Sequence, residues 1–284
     1  MKKKRVSLTD FCRASDVFWK RMIRLCFSGE KWVEPFMVDT HHGFAHANEV
    51  RRQSLALIGK LTRAEAAALL REGKQIGKES PLQCATAAIE IAAMLHDCGR
   101  FNAEGKILVP EQKNHHTRSA KRADFFCIQR GFPEVIPLVR DAILSHDFQS
   151  RRFTPDFAPP KKMIGKIVQS ADQMCWFHPD SVFRTIEYNK LLHTPFFDPS
   201  ISMKIRKRYI PSNHGPDAVT VMLCQLFGPC GKGRFGIHAA QKQVRQYKAS
   251  LKRNILKVAQ SRRVRKEVKT LLSEFEKRKN TQIS

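Results

Sequence analysis

The chain has 284 residues, of which 42% are hydrophobic, with eight cysteines and a formal net charge of +25. This length supports one large domain or one domain with appendages. No Cys-x-x-Cys pair occurs, which argues against a zinc ribbon or a disulfide framework and for free thiols in a reducing, cytoplasmic setting.

No run of about 18 uncharged apolar residues is present, so no transmembrane helix is expected. The basic start Met1-Lys2-Lys3-Lys4-Arg5 has no apolar stretch after it and is not a Sec signal. The charge is uneven: residues 237–284 carry 14 basic and 3 acidic side chains. That bias suits either a solvated helix or a surface facing a polyanion, such as nucleic acid or an acidic membrane.

In chain order, apolar residues at helical spacing (Phe11, Phe18, Trp19, Met22) predict a helix over 8–27, ended by Gly29. Residues 31–42 read as a connector. A second helix is predicted from about Phe44 to Leu61. Thr62 and Glu65 form a capping box for a third, over about Arg63 to Arg71. Pro81 opens a strongly apolar central helix that ends at His96-Asp97.

A polar loop over 99–113 leads to a helix from about His115 to Gln129, with Gly131 as its C-cap. Further helices are predicted over 134–147, from Lys161 to about residue 178, and on to Leu192. Residues 195–216 hold four prolines and the basic knot Lys204–Arg208, and 228–236 read as a loop. A single long basic helix is expected from Ile237 to Lys279. Alternating strand patterns are nearly absent, so the fold class is all-α. The expected division is a basic helical extension over 1–30, a core over 31–195, and a basic loop and C-terminal helix over 196–284.

The central helix carries a histidine and a carboxylate inward at its end. Buried charge without a partner is disfavoured, and a divalent metal is one way to satisfy it. His46, His96, Asp97, His115 or His116, His146 and Asp172 each lie on or at the end of a predicted helix with an apolar face. A helical bundle can gather such residues in its core. Imidazole and carboxylate ligands without thiolate suit one or two ions of Mn, Fe, Zn, Co or Mg. Asp97 is placed to bridge two of them. A metal-bound water that becomes hydroxide near neutral pH can attack phosphorus. His178, His193, His214 and His238 show no ligand context.

His46, then His96-Asp97 fifty residues on, then Asp172 in an apolar helix resembles the H…HD…D pattern of the HD-domain metal-dependent phosphohydrolases. The match covers roughly residues 36–195. The resemblance implies an all-α bundle in which His46, His96, Asp97 and Asp172 hold the first metal. His115 or His116, with His146, stand where two-metal members place extra histidines.

The segment His42-Gly43-Phe44-Ala45-His46-Ala47-Asn48-Glu49-Val50 is similar to the HNxxHAxDV motif of cyclic-nucleotide phosphodiesterases, with Gly43 and Glu49 in place of the Asn and Asp. His42 then matches the general acid, on one helix face with His46 if the helix includes residue 42. Asp97 and His116 complete the expected catalytic groups. The run His96-Asp97-Cys98-Gly99-Arg100 is closer to the HDxGK/R of bacterial members. Arg100, Arg118 and Arg122 are the candidate phosphate-binding groups.

These features lead to one main expectation, a metal-dependent phosphohydrolase or phosphodiesterase acting on a phosphorylated small molecule or nucleotide. Three alternatives stand beside it. Some HD-fold proteins are di-iron oxygenases. The basic C-terminal helix suits a scaffold that binds nucleic acid or an acidic membrane. The HGxAH core is reminiscent of effector phosphodiesterases acting on phosphoribosyl-linked ubiquitin.

Overall fold

The computed structural model describes residues 8–11, 14–39, 42–76, 80–106, 114–146, 160–191, 193–208, 216–227, 235–259 and 261–281. Among these the chain is helical and forms no strand, as the sequence pattern predicts. No helix among the described residues is long and apolar enough to cross a membrane. Residues 148–160, whose Pro, Phe and Arg content reads as a loop, and the expected loop over 228–236 fall largely outside the described residues, as does His214.

The chain divides into two compact units. The first is Met1–Asp172 with Phe235–Ala240, and the second is Gln173–Arg234 with Gln241–Ser284. The sequence pattern places this boundary near residue 195. It falls instead between Asp172 and Gln173, inside a helix.

In the first unit, α1 (Leu8–Phe11) and α2 (Asp16–Cys26) replace the single helix expected over 8–27. Ser15 breaks it, its Oγ accepting the Phe18 amide at 3.2 Å. The described residues of this stretch pack into the first unit. Phe11 packs edge-on to Phe126 and Phe132, and Trp19 stacks on Phe126. The expected connector contains α3 (Val33–Val38).

Next come α4 (Phe44–Ile58) and α5 (Arg63–Lys74), with both halves of the Thr62–Glu65 capping box formed. The central helix, α6 (Pro81–Leu95), is buried on nearly every side from Cys84 to Leu95, as a helix apolar all round must be. It packs against α1, α4, α5, α7 (His115–Arg130) and α8 (Ile136–Ser145). Its alanines let these neighbours approach closely. Gly131 ends α7 in the left-handed conformation, φ 81°, the role expected of it. The helix α9 (Met163–Phe177) carries Asp172.

A buried network ties α2, α4 and α6 together. Glu90, fully buried on α6, accepts Trp19 Nε1 at 3.0 Å and Arg51 Nη1 at 3.3 Å. Arg51 also bonds the Asn48 side chain and the Ala14 carbonyl, both at 2.9 Å. Burial pushes the Glu90 carboxyl up, against the pull of Trp19 and Arg51.

The second unit holds α10 (Ser181–Leu191), α11 (Met203–Arg208), α12 (Ala218–Phe227), α13 (His238–Val258, whose first turn belongs to the first unit) and α14 (Arg262–Thr281). Neither α11 nor α12 is predicted from sequence. The long basic helix expected over 237–279 is two helices. Ser261 ends the run, its Oγ accepting the Val264 amide at 3.1 Å to cap α14.

The core of this unit joins Val182, Val219, Met222 and Leu223 to Leu251, Ile255, Val268 and Leu272. Arg206, from the basic knot, is buried rather than solvated. It pairs with Asp217 at 2.8 Å, donates to the Asp198 carbonyl and lies over the Phe197 ring.

Candidate metal centre

Every expected ligand of the constellation lies in the first unit. His46 sits in the first turn of α4 and His96 and Asp97 follow the last turn of α6. His115 opens α7, His146 closes α8, and Asp172 lies on α9. Helix ends suit this role, because the backbone leaves its ladder there and can aim side chains inward.

The turn after His96 is built around Gly99. A Cβ on Gly99 would lie 2.1 Å from the His115 carbonyl oxygen and 2.5 Å from the Ser119 nitrogen. Only glycine lets α7 bring His115 against this turn. The Gly99 amide donates to Ser119 Oγ at 2.8 Å. Arg118 donates to the Gly99 carbonyl at 2.8 Å, and Arg122 donates to the Cys98 carbonyl while stacking on Trp32. Arg118 and Arg122, read from sequence as phosphate ligands, thus hold the turn that aims Asp97.

The helix α4 begins at Phe44, after His42, so His42 is positioned by its loop rather than by a helix face. Asp39 shapes that loop, its Oδ1 accepting the amides of His42 at 2.6 Å and Gly43 at 3.0 Å. Gly43 is needed here, since a Cβ would lie 2.3 Å from the Phe36 carbonyl oxygen. The α9 N-terminus is held by Glu72, which accepts the Met163 and Ile164 amides at 2.6 and 3.0 Å. Gln169 on α9 donates to the Ser145 carbonyl beside His146 at 2.8 Å.

The result is a carboxylate between two sets of imidazoles. Asp97 Oδ2 lies 3.1 Å from His42 Nδ1, 3.8 Å from His46 Nε2 and 3.6 Å from His96 Nε2. Its Oδ1 lies 3.3 Å from His115 Nε2, 3.6 Å from His146 Nε2 and 2.7 Å from Arg100 Nε. Asp172 Oδ1 lies 3.1 Å from His46 Nε2 and 3.7 Å from His96 Nε2. Three overlapping groups gather ligand atoms within 4.8 Å of one another: His42–His46–Asp97, His46–His96–Asp172 and His96–Asp97–His146.

The donor set fits a cation. His96 Nδ1 faces the Ala93 carbonyl at 2.8 Å, and His146 Nδ1 faces the Ile143 carbonyl at 2.5 Å. A carbonyl can only accept, so both rings carry their proton on Nδ1 and turn Nε2 toward the carboxylates. His96 Nε2 is fully buried without a hydrogen-bond partner, its nearest carboxylate oxygens lying beyond bonding reach. The Nε2 atoms of His115 and His146 face each other at 3.4 Å. A metal ion between such lone pairs satisfies them together.

Electrostatics agree. Burial alone would raise Asp97, but Arg100 and the imidazoles around it hold the carboxyl well below its ordinary value. His46 and His96 do the same for Asp172 against its burial. Burial opposes a charged His96, yet Asp97 and Asp172 outweigh it and raise the ring to about 9. With both carboxylates ionised, a positive charge is favoured among them. Burial and then Arg100 lower His42 to about 4, and burial lowers His46.

His116 is buried beside His115, ring centroids 5.3 Å apart; neither belongs to the three groups, but His115 Nε2 lies 3.3 Å from Asp97 Oδ1. Around Asp97, His42, Asp172 and Arg100 expose side chain at 20%, 15% and 12%, which marks the approach to the site. Sequence reasoning missed Asp39, Glu72, Ser119 and Gln169. Asp39 carried a signal, an Asx residue three positions before His42. Glu72 and Gln169 carried none, because their partners are distant backbone groups.

Comparison of the chain with protein-family models, curated proteins and solved structures finds no match. Fold and site alone define the class: an all-α protein with a buried histidine–aspartate cluster able to hold a metal ion.

Proposed function

We propose that the chain is a metal-dependent phosphohydrolase of the HD type, cleaving a nucleotide-type phosphoester. The observation that carries this reading is Asp97, whose two oxygens face separate imidazole sets. His46, His96, Asp97 and Asp172 would hold one ion, and Asp97 with His115 and His146 a second. A divalent ion supplies Lewis acidity at phosphorus and lowers the pKa of a water nucleophile.

The chain's own groups do the rest. His42 reaches solvent and its Nδ1 touches Asp97. Because burial and Arg100 hold the ring neutral, it would protonate the leaving oxygen only after taking up a proton itself, as from the water nucleophile. Arg100, also at the approach, offers a guanidinium to a phosphate oxygen. Arg118 and Arg122 fix the turn on which Asp97 sits.

The test is elemental analysis of the wild type and of Asp97→Asn, followed by turnover of bis-p-nitrophenyl phosphate and a nucleotide panel. One or two ions per chain, lost in the variant together with turnover, is the expected result. A wild type that takes up no Mn, Fe or Zn on reconstitution, or a variant with full turnover, sinks the reading. The same twin imidazole sets also suit a di-iron centre, so a pair of irons with oxygen consumption would assign the site to oxidation instead.

A further inference from the structure

The helices α13 and α14 carry a surface that the metal centre does not use. In α13, Lys242, Arg245, Lys248, Lys252, Arg253 and Lys257 occur with no acidic residue. The next helix opens with Arg262, Arg263, Arg265 and Lys266 and has no acidic residue in its first turn. Positive charge at a helix N-terminus opposes the macrodipole, so nothing in local helix stability favours this placement. Some of these cations have partners within the unit: Lys248 lies over Phe177, Lys252 pairs with Glu276, and Arg263 with Glu267. Lys242, Arg253, Lys257, Arg262, Lys266 and Lys269 are exposed.

On α13, Lys242, Arg253 and Lys257 fall on one stripe by helical spacing. That stripe is about 22 Å long at 1.5 Å per residue, roughly six base pairs of duplex. Lys266 and Lys269 continue from Arg262 at helical spacing over the first two turns of α14.

The packing selects among polyanions. The apolar faces of both helices are already filled, with Leu251, Ile255, Val268 and Leu272 in the unit's core. A helix that lies in a membrane surface needs that face free. Stacking on single strands needs exposed aromatic rings, and here Tyr247 packs against His178 and Phe275 against Phe227. What remains is a basic face free of aromatic platforms, whose complement is a continuous row of phosphates.

We infer that this helix pair binds the phosphate backbone of double-stranded nucleic acid, without sequence preference. The surface is independent of the phosphohydrolase reading and stands if that reading fails.

The experiment is fluorescence anisotropy of the full chain with 24-base-pair DNA and RNA duplexes across a KCl series. Two charge-matched variants are compared: Lys257→Gln/Arg262→Gln/Lys266→Gln/Lys269→Gln, and a first-unit control, Lys31→Gln/Lys60→Gln/Lys74→Gln/Lys121→Gln, at exposed positions. Circular dichroism establishes that each is folded, and the α13–α14 changes are repeated in pairs, which should give intermediate losses. The wild type should bind with a steep salt dependence. The α13–α14 variant should bind roughly tenfold or more weakly, its log–log salt slope shallower by about 0.9 for each phosphate no longer neutralised. The control should bind like the wild type. Equal losses in both variants would show net charge alone at work and overturn the inference. So would unchanged binding in the α13–α14 variant, tighter binding to single strands, or binding confined to phosphatidylserine vesicles.

Discussion

In the first unit, charged and titratable groups are buried and converge. Asp97, Asp172 and five imidazoles meet in the interior of the first unit, drawn from four helices, a loop and the turn after α6. In the second unit the charge lies outside an apolar core, and Arg206 with Asp217 is its buried pair. Burial makes placement expensive, so a buried cluster restricts what the protein can be doing to a few chemistries. Exposed charge is cheap to place and gains meaning only from what packs beneath it. The second unit therefore yields a partner class, and the first yields a site.

If that contrast is right, the two units fail in different ways. The largest effect on stability should come from Leu251→Ala, which empties a fully buried position in the second core. Such truncations cost about 2–5 kcal/mol. A denaturant melt should show that loss while the metal content stays at the wild-type level. A metal content that fell with it would show that the second core supports the site.

Gly99→Ala attacks the first unit where it is least forgiving. The new methyl collides with the His115 backbone, an overpacking worth about 1–3 kcal/mol. Because His115 must shift, metal affinity should fall along with stability, whereas Leu251→Ala separates the two. Retained affinity in Gly99→Ala would place His115 outside the coordination set.

Glu72→Gln should cost less, about 1 kcal/mol, the typical worth of an N-terminal cap. Its carboxylate accepts two α9 amides, and α9 carries Asp172. Glu72 reaches Asp172 only through α9, so metal affinity should fall by less than the about 10–100-fold that follows loss of a ligand's own hydrogen-bond partner. Calorimetric titration of the metal at fixed pH reads the effect directly, and an unchanged affinity would make Glu72 a helix cap and nothing more.

The parts of the molecule that were legible in the sequence share one property: their signal is local. His96-Asp97 stands at the end of an apolar run, Thr62 and Glu65 form a box over four residues, and Gly131 follows a periodic segment. Each was found where expected. The rest depends on partners far along the chain. Arg118, Arg122 and Arg206 look alike in sequence, yet the first two bind carbonyls of the turn at Cys98 and Gly99 and the third is buried on Asp217. Nothing in a lysine- and arginine-rich segment announces which cation the fold will draw inward. The break between α13 and α14 was missed for a related reason. Ser261 is a strong cap only once the helix before it stops.

The smallest test bears on the exposed side of the contrast. Glu267 pairs with Arg263 across one turn of α14 at 3.1 Å, with the arginine side chain 83% exposed. Pairs of this kind add only about 0.3–0.5 kcal/mol to a helix, so Glu267→Gln should barely lower the melting temperature. It also removes a negative charge that neighbours the Arg262–Lys266–Lys269 row, about 100° around the helix from Lys266. A charge about 8 Å from a phosphate in water interacts by about 0.5 kcal/mol, so duplex binding should tighten about twofold at low salt. That gain should vanish as the Debye length shrinks below the separation. A variant that loses a little stability while gaining affinity would show that α14's charges serve a partner rather than the fold. A loss of both would return them to the helix.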